Sequence, residues 1–183
     1  MATWIPLFLL ASFEKAGQDS VVGMPLETAA SLAAFFVIAA SGPSSLLAGW
    51  FADRLGRTRI TITSLIVSGT CCLIIGLFFS FSPWLVTLIA LVWGFAIAPD
   101  SAQYSAAVSE LSDPEYMGTA LTLQTSMGFL LTLVTIRLVP TLVDSVGWEW
   151  SFAFLALGPM FGIWAMRSLR RSSEAAKLAG GRG

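Results

Sequence analysis

The sequence predicts an all-α integral membrane protein, a bundle of six transmembrane helices of which the first is incomplete. Three observations predict this. Of the 183 residues, 56% are hydrophobic and only 11% are charged, under half the charged share of a soluble domain. Such a chain has too little polar surface to cover a soluble core. The apolar residues also come in long blocks, not in amphipathic stripes, which marks lipid as the solvent. Finally, the Lys and Arg residues collect in two clusters that an alternating six-segment topology puts on one side of the membrane.

The expected organisation is a single membrane domain over residues 1–166 and a basic cytoplasmic tail over 167–183. The helices are expected at about 4–13 (partial), 27–51, 60–79, 84–108, 116–139 and 148–166. The block 4–13 is too short to span, because spanning takes about 20 residues. It reads as the outer end of a helix that begins upstream, so a fragment or a misplaced start is expected. Met1, Ala2, Thr3 and Trp4 contain no basic n-region, and no cleavable signal is read there. Residues 14–25 are polar and are expected to form a loop outside the membrane.

The second segment carries Ser31, Ala34, Ser41, Gly42, Ser45 and Gly49 at helical spacing, a small-residue stripe that lets another helix approach closely. Pro43 should kink it by leaving a backbone carbonyl without a donor. The kink serves either packing or a cavity. After the third segment, Ser82 and Pro83 have the form of a helix start, and so do Asp113, Pro114 and Glu115. The fifth segment carries a polar and small stripe of Gln124, Thr125, Gly128, Thr132 and Thr135, with Arg137 near its outer end, where it can snorkel. The sixth opens on Trp148 and Trp150 as interfacial anchors and contains Gly158 and Gly162 at a close-packing spacing. The tail is expected to be disordered.

Topology follows from charge. Arg54, Arg57 and Arg59 lie between segments two and three, and Arg167, Arg170, Arg171, Lys177 and Arg182 lie in the tail. Six alternating segments put all of these on the cytoplasmic side and leave Lys15 and Arg137 on the other. The expected location is the plasma membrane, as a multi-pass protein of a bacterial inner membrane type with a cytoplasmic C-terminus.

Several chemistries are not expected. The chain has no His, which removes the commonest general base and metal ligand. Cys71 and Cys72 are adjacent in an apolar block and point about 100° apart on a helix, which suits apolar filling better than a metal site. No catalytic residue, metal or cofactor is expected, and no nucleic-acid partner. An enzyme is therefore not the reading.

The densest charge lies in residues 49–60, where Gly49, Ala52, Asp53, Arg54, Gly56 and Arg57 recur at fixed spacing between two apolar blocks. This resembles the signature loop of the major facilitator superfamily of transporters, Gly-x-Leu-Ala-Asp-Arg-x-Gly-Arg-(Arg/Lys), which joins the second and third helices of each six-helix half. Phe51 stands where Leu is usual, and Thr58 where a basic residue is common, with Arg59 one position later. The resemblance extends over the chain as the C-terminal half of a twelve-helix protein. It implies transport of a small solute by alternating access, with proton coupling. It also implies that Gly49, Asp53, Arg54, Gly56 and Arg57 form a conformational-gating loop that braces the other half. Arginines alone would mark only membrane orientation. The gap such a loop leaves is filled by the missing N-terminal half or by a second copy.

Asp100 is the clearest ionisable residue inside a segment. It lies sixteen residues past Trp84, about 24 Å along a helix that rises about 1.5 Å per residue. Gln103 and Tyr104 follow at i+3 and i+4, and Gln124 and Thr125 of the next segment are expected at similar depth. Intramembrane polar groups mark pathways. Asp100, Gln103, Tyr104, Gln124 and Thr125 are therefore the candidate substrate or proton path for a small molecule or ion. Asp100 capping a break at Pro99 is the competing reading. At the level of the whole chain, the alternative is a non-transporting truncated membrane protein or an assembly subunit.

Overall fold

The computed structural model describes residues 2–181, and its main elements are helices. They are α1 (Ile5–Lys15), α2 (Leu26–Ala39), α3 (Ser41–Leu55), α4 (Arg57–Ile74), α5 (Pro83–Leu111), α6 (Met117–Val146), α7 (Trp148–Ser151) and α8 (Leu157–Arg170). Among the described residues, five stretches are long and apolar enough to cross a membrane: Leu26–Leu55, Arg57–Phe78, Pro83–Leu111, Met117–Val146 and Trp148–Arg170. The sixth segment of the bundle, α1, has 11 residues. It is short but central. Ile5, Phe8, Leu9 and Phe13 are buried, and the Phe8 ring lies 5.1 Å from Phe79 and 4.9 Å from Phe152. Ser12 Oγ donates to the Phe79 carbonyl at 2.6 Å, and Lys15 pairs with Glu149. This apolar and aromatic core sits at the end of the bundle away from Arg57.

The polar link after α1 folds as a hairpin of β1 (Ser20–Val21) and β2 (Met24–Pro25). Its turn residues Val22 and Gly23 have φ of 55° and 72°, the positive pair that matches the twist of two short strands.

The expected kink at Pro43 appears as a break between α2 and α3 at Ala40. Pro43 cannot donate to the Ala39 carbonyl. Ser44 N reaches the Ala40 carbonyl at a long 3.4 Å, while the Ser44 and Ser45 hydroxyls both donate to the Ser41 carbonyl. Side chains thus satisfy backbone acceptors beside the lost rung. Gly94 lets α5 pass close to α2, since a Cβ there would lie 2.2 Å from the Val37 carbonyl oxygen.

Several features differ from the sequence expectation, α5 among them, which runs on to Leu111. α3 runs on to Leu55, so Asp53 and Arg54 are helical and the turn to α4 shrinks to Gly56, at φ 103°. Only a glycine adopts that conformation without strain. α6 starts at Met117, and residues 113–116 form a turn closed by the Tyr116 N–H on the Asp113 carbonyl. α6 also continues through Pro140 to Val146, because one proline removes one rung and the flanking turns hold. The tail is not disordered over its described part. Residues Ser173–Gly180 form 3-10 turns broken by a kink at Leu178 and Ala179, Leu178 is fully buried, and Glu174 holds the Lys177 ammonium, 2.6 Å away, above the ordinary lysine range.

Candidate functional site

The site is built where α3 ends and α4 begins. Gly56 turns the chain so sharply that Arg57 becomes the first residue of α4, with its side chain directed at α5. Its guanidinium is almost wholly enclosed, the side chain being 8% exposed. Burying a charge is costly unless it is paired and hydrogen-bonded, and here every nitrogen is engaged. Nε donates to Glu110 Oε2 at 2.9 Å and Nη2 to Glu110 Oε1 at 2.6 Å, a two-pronged charge-assisted contact. Nη1 donates to Gln103 Oε1 at 2.7 Å. Asp53, one helical turn earlier across the break, brings Oδ1 to 3.5 Å from Nη2. Glu110 Oε2 accepts a third bond, from the Ala179 N–H of the docked tail at 3.0 Å. The result is a clamp that ties α3, α4, α5 and the tail through one guanidinium.

Other signature residues differ in role. Arg54 is exposed and stacks over the Trp50 ring at 3.7 Å. Thr58 is fully buried, which explains why a long basic side chain does not occupy that position here. The exposed Arg59 next along is the basic residue that reaches outward. A Cβ on Gly49 would meet nothing within 4 Å.

The residues expected to form one path separate into three groups. Gln103 is buried in the Arg57 clamp. Asp100 and Tyr104 line a cavity of about 260 Å³ between α4, α5 and α8, together with Ser68, Cys72, Trp93 and Pro159. Asp100 Oδ1 accepts from Ser101 Oγ at 3.1 Å, and the Tyr104 hydroxyl fits against Gly162, where a Cβ would be 2.6 Å from it. Gln124 of α6 accepts from Ser105 Oγ of α5 at 3.2 Å, and Thr125 is exposed. Positions i+3 and i+4 stand about 100° apart on a helix. That is wide enough for α4 to take Gln103 while Tyr104 turns to α8, so the five do not form one surface.

Two partners were not singled out from the sequence. Glu110 lies seven residues after Gln103, two helical turns along the same face, and that spacing was the available signal. Ser105 had no comparable mark. Among the described residues, no group of three or more His, Cys, Asp and Glu side chains is arranged to hold a metal ion.

Neither the curated proteins nor the solved structures contain a significant match to this chain. The family model of the Major Facilitator Superfamily matches residues 1–182. It covers nearly the whole chain, and the clamp is built on the stretch that resembles that family's signature. The chain therefore belongs to the Major Facilitator Superfamily, a family of membrane transporters of small solutes.

Proposed function

We propose that the chain works as one six-helix half of a twelve-helix secondary transporter, moving a small molecule or ion by alternating access with proton coupling. The observation that carries this is α6. It is 30 residues long, Val139 is its one buried position among those described, and it displays Gln124, Thr125, Gly128, Thr132 and Thr135 along its length. Amide and hydroxyl groups in a membrane helix are stable where they meet another helix or a wet cavity. The missing N-terminal half, or a second copy of the chain, supplies that surface and closes the path. An inert membrane protein would leave that stripe against lipid. The chain is a carrier and not an enzyme.

In this reading the Arg57 clamp holds one of the alternating states and yields in the other. Asp100 takes and gives the proton from its cavity against α4 and α8, while Gln124 and Ser105 contribute to the solute path. The clustering of Arg54, Arg57 and Arg59 with the basic tail supports a cytoplasmic C-terminus in a plasma membrane of bacterial inner membrane type. The test is uptake into proteoliposomes with a panel of solutes. The chain alone is expected to give no saturable, uncoupler-sensitive uptake, and the assembled transporter to give it. Asp100→Asn in the assembled transporter is expected to abolish the pH dependence. Unchanged pH dependence and affinity would remove Asp100 from the mechanism.

A further inference from the structure

A groove of about 270 Å³ lies between α3, α4 and α5, apart from the clamp and from the Asp100 cavity. It opens to the surroundings past Leu47, Phe51 and Phe95, which are 47%, 41% and 45% exposed. Small side chains, Ser44 and Ala48, line it on α3, and Pro99 lines it on α5. Of the three hydroxyl residues on its walls, Ser44, Thr63 and Ser64, two are turned back on their own helices. Ser44 Oγ donates to the Ser41 carbonyl at 2.8 Å and Thr63 Oγ1 to the Arg59 carbonyl at 2.9 Å. What remains facing the groove is almost wholly hydrocarbon. A polar solute has little to bond there.

The groove has a definite depth in the membrane. Its α4 wall begins at Ile60 and ends at Val67, seven residues or about 10 Å of helix. That is about a third of a hydrocarbon core of about 30 Å, so the groove occupies one leaflet, the one next to the Gly56 turn. At that end two of the three walls, α3 and α4, lead to an exposed arginine. Arg54 follows Phe51 by three positions on the same face of α3, and Arg59 precedes Thr63 by one turn of α4. The third arginine of the turn, Arg57, is already matched by Glu110 and Asp53. Arg54 and Arg59 are therefore the charges offered outward, and Arg54 is held at the interface by its stack on Trp50.

We propose that this groove is a binding site for an anionic phospholipid, with an acyl chain between α3, α4 and α5 and the phosphate at Arg54 and Arg59. A hydrocarbon slot lying within one leaflet, ending in two cationic side chains at the headgroup level, complements both parts of such a molecule. An uncharged amphiphile leaves the arginines unused, and an acidic soluble partner leaves the slot unused. The site depends on membrane embedding and not on the transport mechanism.

The test is native mass spectrometry of the delipidated chain in mild detergent, offered phosphatidylglycerol and phosphatidylcholine of identical acyl composition in equal amounts. Phosphatidylglycerol is expected to be retained over phosphatidylcholine by about five-fold for each arginine engaged. The double variant Arg54→Gln/Arg59→Gln, checked for unchanged far-ultraviolet circular dichroism and dispersity, is expected to hold the two lipids equally. Thr63→Trp, which plugs the exposed mouth and keeps both arginines, is expected to lose phosphatidylglycerol as well. Equal retention of both lipids by the parent chain would overturn the proposal, as would a preference that survives loss of the arginines. If Thr63→Trp retains phosphatidylglycerol like the parent, the arginines attract headgroups without the groove, and the site as described is wrong.

Discussion

Replacing Glu110 by Gln gives a direct measure of the Arg57 clamp. The side chain keeps its size and loses its charge, so Arg57 Nε and Nη2 exchange a carboxylate at 2.9 and 2.6 Å for a neutral amide. Removing one partner of a fully buried ion pair costs about 3–5 kcal/mol. Here the loss is smaller for two reasons. The Glu110 side chain is 28% exposed, and Asp53 remains 3.5 Å from Nη2 to balance part of the charge. About 2 kcal/mol is a reasonable expectation, near the value of one hydrogen bond to a charged group. For a chain of this size that corresponds to a fall in Tm of about 4–8 °C. Intrinsic fluorescence in detergent can follow it, because the chain has 7 Trp. A double-mutant cycle with Arg57→Gln separates the pair from other effects. Once Arg57 is gone, Glu110→Gln should add less than about 0.5 kcal/mol. If the two changes simply add, the carboxylate and guanidinium do not interact, and the clamp is refuted.

Three further outcomes follow from the fold. Gly56→Ala puts a Cβ on a residue at φ 103° and is expected to cost about 1–3 kcal/mol, seen as a lower Tm; an unchanged Tm would mean that α3 and α4 are joined differently. Gly94→Ala drives a methyl group to within 2.2 Å of the Val37 carbonyl oxygen, and since backbone cannot step aside cheaply it should cost about 1–3 kcal/mol or more, measured by the same melt or by loss of folded yield. Leu178→Ser removes a fully buried side chain whose burial contributes about 2 kcal/mol; the docked segment should then open, and trypsin should cut after Lys177 several-fold faster, whereas an unchanged rate would place the tail elsewhere.

The bundle was legible because its blocks of apolar residues are long and its charges fall between them. The helix ends were less so, and the reason is physical. A charged residue ends a hydrophobic span, but it does not end a helix, whose backbone hydrogen bonds continue as readily in the headgroup region. Asp53 and Arg54 therefore looked like loop and are helical; at the far end of α6 it was Pro140 that suggested a boundary, and residues 140–146 continue the helix past it. Gly56 was readable as the turn because its conformation is written in its residue type. Glu110 was hidden by the same error of boundary: once α5 reaches Leu111, the seven-residue step from Gln103 to Glu110 lines up two acceptors for one buried cation. The tail was hidden for a different reason. Its composition is that of a solvated segment, and one leucine and one backbone N–H on Glu110 suffice to anchor it.

These contacts converge on the stretch of α5 that follows Pro99. Gln103 and Glu110 hold Arg57 of α4, Asp100 and Tyr104 face the cavity against α4 and α8, and Ser105 meets Gln124 of α6. Pro99 cannot donate to the Phe95 carbonyl, so the helix is weakest just before this stretch. From there to Leu111 the backbone is one short helix. It cannot release Arg57 by tilting or turning without also moving Asp100 in its cavity and Ser105 against Gln124. The Arg57 contacts of Gln103 and Glu110, the Asp100 carboxylate and the Ser105 contact to α6 are thus different edges of one stretch of α5. In the proposed transport cycle, a proton taken up at Asp100 and a solute held near Gln124 would act on one clamp, because the helix carries all three contacts on one backbone.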